Sequence, residues 1–340
     1  MKPLTRDEVK TVIEGKGHAS RVPIAIQDWI STDLFGAHKY PSDIHVMHIH
    51  MPSMFDAPVD DPAYRWMSFD KPEPTGDTAV AIDADVCITD WAQLDEIIAD
   101  FPNADYHGLT ASNAPDDGRY RVGLWWFWLF ERLWSFRGME NALVDFYESP
   151  DEVHKLFRVL TDFYKDVLTR CKHEMQLDAI WTSDDIGTQT GPFFSPGIFD
   201  EFFKPYYKEL IDHAHSLGMH FWMHTCGNII PFIPELIDIG LDVLHPIQKY
   251  TMDEKEIAER FGNKICFWAG FDVQQIIPYG TPEDVRREVR FMIDTYFRTD
   301  GRFMLAAGNW LTPDTPAESI EALFDEAYKY GALVATTRRT

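Results

Sequence analysis

Short apolar runs bounded by Gly or polar residues alternate with longer amphipathic stretches through the C-terminal half of the chain, the rhythm of successive βα units. The strand-like runs are Ala179 to Thr182, Met219 to Met223, Val243 to Leu244, Ile265 to Ala269 and Phe303 to Ala306. Between and after them the spacing predicts helices over Pro196 to Leu217, Ile229 to Ile239, Asp253 to Phe261, Pro282 to Phe297 and Pro316 to Tyr330. Ser195-Pro196, Thr281-Pro282 and Thr315-Pro316 each set a capping hydroxyl ahead of a proline in the first turn. The first half adds three candidate strands, Ile24 to Ile26, Ala79 to Ile82 and Val122 to Trp128, then a helix pair, Met139 to Phe146 and Pro150 to Glu174. Eight strands are within reach, enough for a single (β/α)8 barrel, and 340 residues is an ordinary size for one. The chain reads as one domain over residues 1–340, with 1–75 less regular. No Gly-x-Gly-x-x-Gly or Walker-type loop follows a strand, which removes the usual sign of a nucleotide-binding doubly wound sheet.

With 45% apolar and 25% charged residues the chain can bury a substantial core. Its longest apolar stretch, Val122 to Phe130, has about half the length of a membrane span. The N-terminal MKPLTRDEVK alternates charges and lacks the apolar core of a secretory signal, so the cytoplasm is the expected compartment. Four cysteines in so long a chain make no disulfide framework. The 31 basic against 55 acidic side chains leave a net −24, which repels nucleic acid and anionic membranes. Lys and Arg do not cluster in the segments that look like a site, so a neutral or weakly charged small molecule is the expected substrate.

The active site of a β/α barrel lies at the carboxyl ends of its strands. The residues there are Asp184 and Asp185, then His224 and Cys226, then His245 and Gln248, then Asp272, then Asn309. Capping of the next helix is reason enough for some of them. His224 and Cys226, two apart in MHTCG, share one face of a strand, where an imidazole and a thiolate can bind one zinc ion. A buried cysteine beside a hydrogen-bonded histidine is the plainer alternative. Asp184 and Asp272 are the first choices as catalytic groups, with Asp185, His245, Gln248 and Asn309 as substrate-binding residues.

The longer context MHTCGNIIPFIPELIDIGLDVLHPIQ resembles the uroporphyrinogen decarboxylase-like superfamily, specifically its corrinoid-dependent methyltransferase branch. TSDDIGTQTGPFFSPGIFDEFFKPYYKEL, AGFDVQQIIPYGTPEDVRREV and AAGNWLTPDTPAESIEAL look like further blocks of the family in the expected order. The resemblance implies a (β/α)8 barrel, zinc held by His224 and Cys226, and a methyl group moved between a small methylated compound and a corrinoid (cobalamin) cofactor supplied by a partner protein. A homodimer is compatible with it. Decarboxylases of the superfamily carry an arginine-rich segment near the N-terminus for a polyanionic tetrapyrrole, whereas VPIAIQDWISTDLFG here has no arginine. The methyltransferase pattern also expects a later cysteine as third ligand, and Asn309 stands at that position. Asp184, Asp185, His245 or a water are the candidate replacements. One cysteinate and one neutral histidine would leave zinc formally +1, a stronger Lewis acid that favours demethylating an ether or amine over methylating a thiol. An aspartate ligand would cancel that charge.

Two further patterns bear on other functions. His45, His48 and His50 in DIHVMHIHMP could open an amidohydrolase-type zinc site completed by His224, His245 and Asp272; a loop of half-exposed histidines is the simpler reading. A binding protein that kept the barrel and lost its third ligand is the alternative outside enzymology. The aromatic run LWWFWLFERLW (124–134) reads as core or as an aromatic wall beside the site, Asp116-Asp117 as a turn, and Cys87, Cys171 and Cys266 as small buried residues.

Overall fold

The structure, a computed structural model, describes residues 2–25, 40–71, 86–309, 311 and 315–338. The expected strand at 79–82, residue 26 of the first one, and most of the arginine-free segment lie outside the described residues.

Seven strands form one parallel sheet in sequence order: β1 (Ile44–His48), β2 (Tyr120–Trp125), β3 (Ala179–Ser183), β4 (His220–His224), β5 (Val243–His245), β6 (Cys266–Phe271) and β7 (Phe303–Ala307). Pro23 to Ala25 run along β7, with Leu305 donating to Pro23 O (2.8 Å) and Ala25 donating to Leu305 O (3.0 Å). On the other side Asp43, the residue before β1, donates its N–H to Ile24 O at 3.0 Å. Five strands of the C-terminal half match the sequence expectation within about two residues. β1 does not: its histidines dilute the apolar run, yet it is a strand and not a loop.

Every residue of β2, β3, β5, β6 and β7 is buried. Strands covered on both faces read as continuous apolar runs, which is why they are legible. The two faces serve different cores. Val122, Trp181, Trp222, Val243, Trp268 and Ala306 pack with one another on the inner face of the sheet. Ile180, Met223, Leu244, Phe267 and Leu305 face the surrounding helices. Trp268 contacts Trp181 (centroids 4.8 Å, 71°) and Trp222 (5.3 Å, 67°), the edge-on packing that aromatic quadrupoles favour, so this face of the sheet is filled by side chains.

Helix α1 (Arg6–Ile13) closes the amino-terminal end of the sheet, burying Val9, Val12 and Ile13 against that inner face. It starts with a Thr5–Glu8 capping box. The outer helices are α2 (Leu94–Ala99), α3 (Phe130–Arg137), α4 (Met139–Glu148), α5 (Pro150–Met175), α6 (Pro196–Ile198), α7 (Lys204–Ser216), α8 (Ile233–Asp238), α9 (Glu254–Phe261), α10 (Ile276–Tyr279), α11 (Pro282–Tyr296) and α12 (Ala317–Thr337). A π-helical turn, Phe199–Phe203, joins α6 to α7 within the single stretch the sequence predicts. Among the described residues no helix is long and apolar enough to cross a membrane.

Candidate metal centre

The carboxyl ends of β3 and β4 bring Asp185, His224 and Cys226 together, with one ligand atom from each within 4.8 Å of the others. His224 Nε2 lies 3.3 Å from Cys226 Sγ and 3.5 Å from Asp185 Oδ1. Bonds of about 2.0–2.3 Å in a tetrahedral zinc site put neighbouring ligand atoms roughly 3.3–3.8 Å apart, so these separations suit one ion. Among the described residues this is the one such three-donor cluster.

The cluster is held from behind. His245 Nε2 lies 3.0 Å from Ala307 O, which can only accept, so Nε2 carries the proton. His245 Nδ1 is then an acceptor, and at 2.7 Å it accepts the hydrogen bond that His224 Nδ1–H donates. That leaves the lone pair of His224 Nε2 aimed at Cys226 and Asp185, the tautomer a metal requires. Both rings are buried, and burial pushes both imidazoles down; for His245 the neighbouring His224 pushes further. Trp268 lies beneath His245 (4.5 Å) and Trp126 flanks His224 (5.1 Å). Without a cation, burial and the charges of Asp185 and Glu131 push the Cys226 thiol up. A dication at this point removes that penalty.

The loop after β4 is pinned by side chains. Cys226 N–H donates to Asp185 Oδ1 at 2.6 Å and Gly227 N–H to Gln248 Oε1 at 2.5 Å. Gly227 has φ +86, and a Cβ there would sit 2.3 Å from Gly187 C, so only glycine lets the β3 and β4 loops meet. Asn309, where the resemblance expects a cysteine, turns its amide towards Cys226 Sγ at 4.0 Å.

Asp184 and Asp272, expected as catalytic groups, do different work. Asp184 accepts from the N–H groups of Leu129 (2.9 Å), Phe130 (3.0 Å) and Glu131 (2.7 Å) and from the Tyr207 hydroxyl (2.6 Å). Asp272 accepts from Gln274 N (2.9 Å), Gln275 N (3.1 Å), Ile276 N (3.2 Å) and the Tyr250 hydroxyl (2.6 Å). Each carboxylate has four donors and is buried, so each anchors the start of a helix, α3 and α10, over the strand ends. The capping role that accounts for polar residues at strand ends applies to these two.

Glu131 carries no signal of its own in the sequence. It is 4% exposed, and its Oε2 has no hydrogen-bond partner. Burial first, then the charges of Asp185 and Asp184, push its carboxyl well above the usual range. The Ser183 hydroxyl, buried at the end of β3, faces this carboxyl and offsets part of that rise by hydrogen bonding. A buried polar atom such as Glu131 Oε2 calls for a partner. The LWWFWLFERLW run hides the residue, because its glutamate reads as the polar side of a helix.

The other patterns resolve simply. His45 faces Asp117 (3.5 Å) and His50 faces Ser112 (3.1 Å), and neither enters the donor cluster, which removes the basis for an amidohydrolase-type site. In the aromatic run Trp125, Trp128 and Phe130 are core, and Trp126 alone stands against the site. Asp116 and Asp117 accept the N–H groups of Gly118 and Arg119 in a turn, and the other three cysteines are buried.

The protein is a parallel β/α architecture with a soft-and-hard donor triad, able to hold a metal ion, at its strand ends. The family model for uroporphyrinogen decarboxylase (URO-D) matches residues 129–330, and the chain belongs to this family. A methyltransferase from Methanosarcina mazei shares the fold at a TM-score of 0.61 and 16% identity, covering 96% of this chain and 99% of its own. A glycosylated endo-β-1,4-xylanase from Gloeophyllum trabeum (TM-score 0.41, 9% identity, 62% and 75% covered) and a xylose isomerase domain protein from Alicyclobacillus acidocaldarius (0.35, 13%, 76% and 97%) resemble it only coarsely and carry no argument. No curated protein matches the chain.

Proposed function

We propose that the chain is a zinc-dependent methyltransferase that moves a methyl group between a small methyl ether or methylamine and a corrinoid held by a partner protein, in the demethylating direction. The observation that carries this reading is the Asp185, His224 and Cys226 triad at the mouth of a URO-D barrel. Pro23 to Ala25 complete the ring as its eighth stave in this reading. Asp185, not Asp184 or His245, takes the place of the expected cysteine, which changes the argument for direction. Two anionic donors and a neutral imidazole balance a dication, so the formal +1 no longer applies. What remains is donor hardness: a carboxylate in place of a second thiolate suits an oxygen or nitrogen substrate better than a thiol. Zinc, when bound, supplies a Lewis acid that polarises that heteroatom.

The chain's own residues do the rest. Glu131, buried and favoured in its protonated form, gives the Oε proton to the oxygen or nitrogen that loses its methyl group. Ser183 Oγ and Asn309 orient the substrate, Trp126 walls it, and the indole floor keeps water out from below. Asp184 and Asp272 hold the loops that shape the mouth. The test is elemental analysis followed by turnover. One zinc per chain is expected, with loss of both zinc and activity in a His224→Ala, Cys226→Ser double variant; full zinc in that variant overturns the assignment. A spectral assay with reduced corrinoid protein and methyl ethers or methylamines, set against methylated corrinoid and free thiols, reads direction. Rapid thiol methylation without demethylation would reverse it.

A further inference from the structure

The amino-terminal end of the barrel carries a cavity of its own. This cavity, of about 570 Å³, opens between α1 and the starts of β4 to β7, and Lys10, Lys16, Lys264 and Arg302 line it. These four cations come from three separate stretches of the sequence, in a chain whose net charge is −24. The cavity also holds two carboxylates, and both are engaged. Glu14 lies 2.6 Å from Lys16 Nζ, 3.9 Å from Lys10 Nζ and 3.5 Å from His220 Nε2, while Asp242 accepts from Phe221 N at 2.7 Å and pairs with His215 at 2.8 Å. Lys264 and Arg302 face no carboxylate within 4 Å among the described residues. The Arg302 guanidinium reaches only the carbonyls of Lys264 (3.5 Å) and Glu14 (3.4 Å), both at the limit of a hydrogen bond.

Arg302 is also placed at a cost. Its φ of +64 lies in the left-handed region, unfavourable for a side chain of this size. Its guanidinium lies across Gly15, where a Cβ would meet Nε at 2.3 Å. An arginine held in a strained backbone over an obligatory glycine, with most of its donors unmatched, is poised for an anion. Two cations without a carboxylate partner, flanked by two more that share the single carboxylate of Glu14, suit a multiply charged anion the size of a pyrophosphate group.

We infer that this cavity binds a phosphate-bearing small molecule through Arg302 and Lys264, with Lys10 and Lys16 at its rim. The site is independent of the metal centre, at the opposite ends of the strands, roughly 13 Å away along β4. The test is calorimetric titration of the full-length protein with inorganic pyrophosphate at low ionic strength, with citrate as the carboxylate comparison. Saturable 1:1 binding of pyrophosphate is expected, at least tenfold weaker for citrate. A Lys264→Gln, Arg302→Gln variant should weaken pyrophosphate binding at least tenfold while a distant Lys155→Gln variant does not. Lys264→Gln alone, on an exposed residue that leaves the Arg302 backbone untouched, should weaken it about threefold and guards against a folding defect. No saturable binding at millimolar pyrophosphate, or equal affinity in wild type and both Lys264 variants, overturns the proposal. Zinc content should be the same in all of them.

Discussion

The two ends of the barrel are built from opposite chemistry. At the mouth, soft and hard donors converge on one point, backed by a neutral histidine relay and a packed tryptophan floor. At the base, cations outnumber carboxylates around an open cavity. The same strands carry both, so the difference lies in the loops that enter and leave each strand. Parallel strands give all their carboxyl ends one environment and all their amino ends another, and each end can gather residues of one kind.

Removing the mouth's donors should have the largest effect: the His224→Ala, Cys226→Ser variant is expected to lose all zinc and all turnover. Replacing Glu131 by Gln should lower demethylation about 100-fold with zinc retained, because the variant keeps the volume and loses the proton. Unchanged turnover would assign Glu131 to packing. His245→Phe should weaken zinc binding about 10- to 100-fold, since His224 is then free to turn its protonated nitrogen to the metal; competition with a chelator measures it. The base variant Lys264→Gln, Arg302→Gln should leave that chelator curve unmoved. If it shifts, the two ends are not independent.

Asp184→Asn and Asp272→Asn should each cost about 1–3 kcal/mol of stability in denaturant titration, because each leaves buried N–H donors poorly matched. Wild-type stability in both would show that the helix anchors matter less than their four hydrogen bonds suggest. The smallest effect is expected away from both ends. Arg158 holds the Glu209 carboxyl down to about 2, with Lys165 adding to it, across the α5 and α7 surface. A depressed pKa means stability that is present above the unfolded value near 4.3 and is lost as pH falls towards 2. Solvent screening keeps this under about 1 kcal/mol, and Glu209→Gln should flatten that part of the acid unfolding curve.

The βα rhythm of the C-terminal half and the His-x-Cys pair are legible without any coordinates, since both are written in contiguous residues. Ala179 to Ser183 and Cys266 to Phe271 are buried on two faces and so read as strands without help from anything distant. His224 and Cys226 share a face through the period of the strand alone. Helix α1, despite its Thr5–Glu8 capping box, is not among the helices the spacing predicts, because its many charges obscure the short apolar stripe. Contacts between separate elements are another matter, and they came from folding alone. Asp184 and Asp185 are neighbours in sequence, yet one faces the α3 amides and the other the metal donors, because consecutive residues at a strand end point to opposite sides. Glu131 comes near Asp185 because the Asp184 anchor fixes the start of α3 there. The basic cavity draws on residues 10, 16, 264 and 302, so no window of sequence contains it. Periodicity along the chain reports which face is buried, and only folding determines what it is buried against.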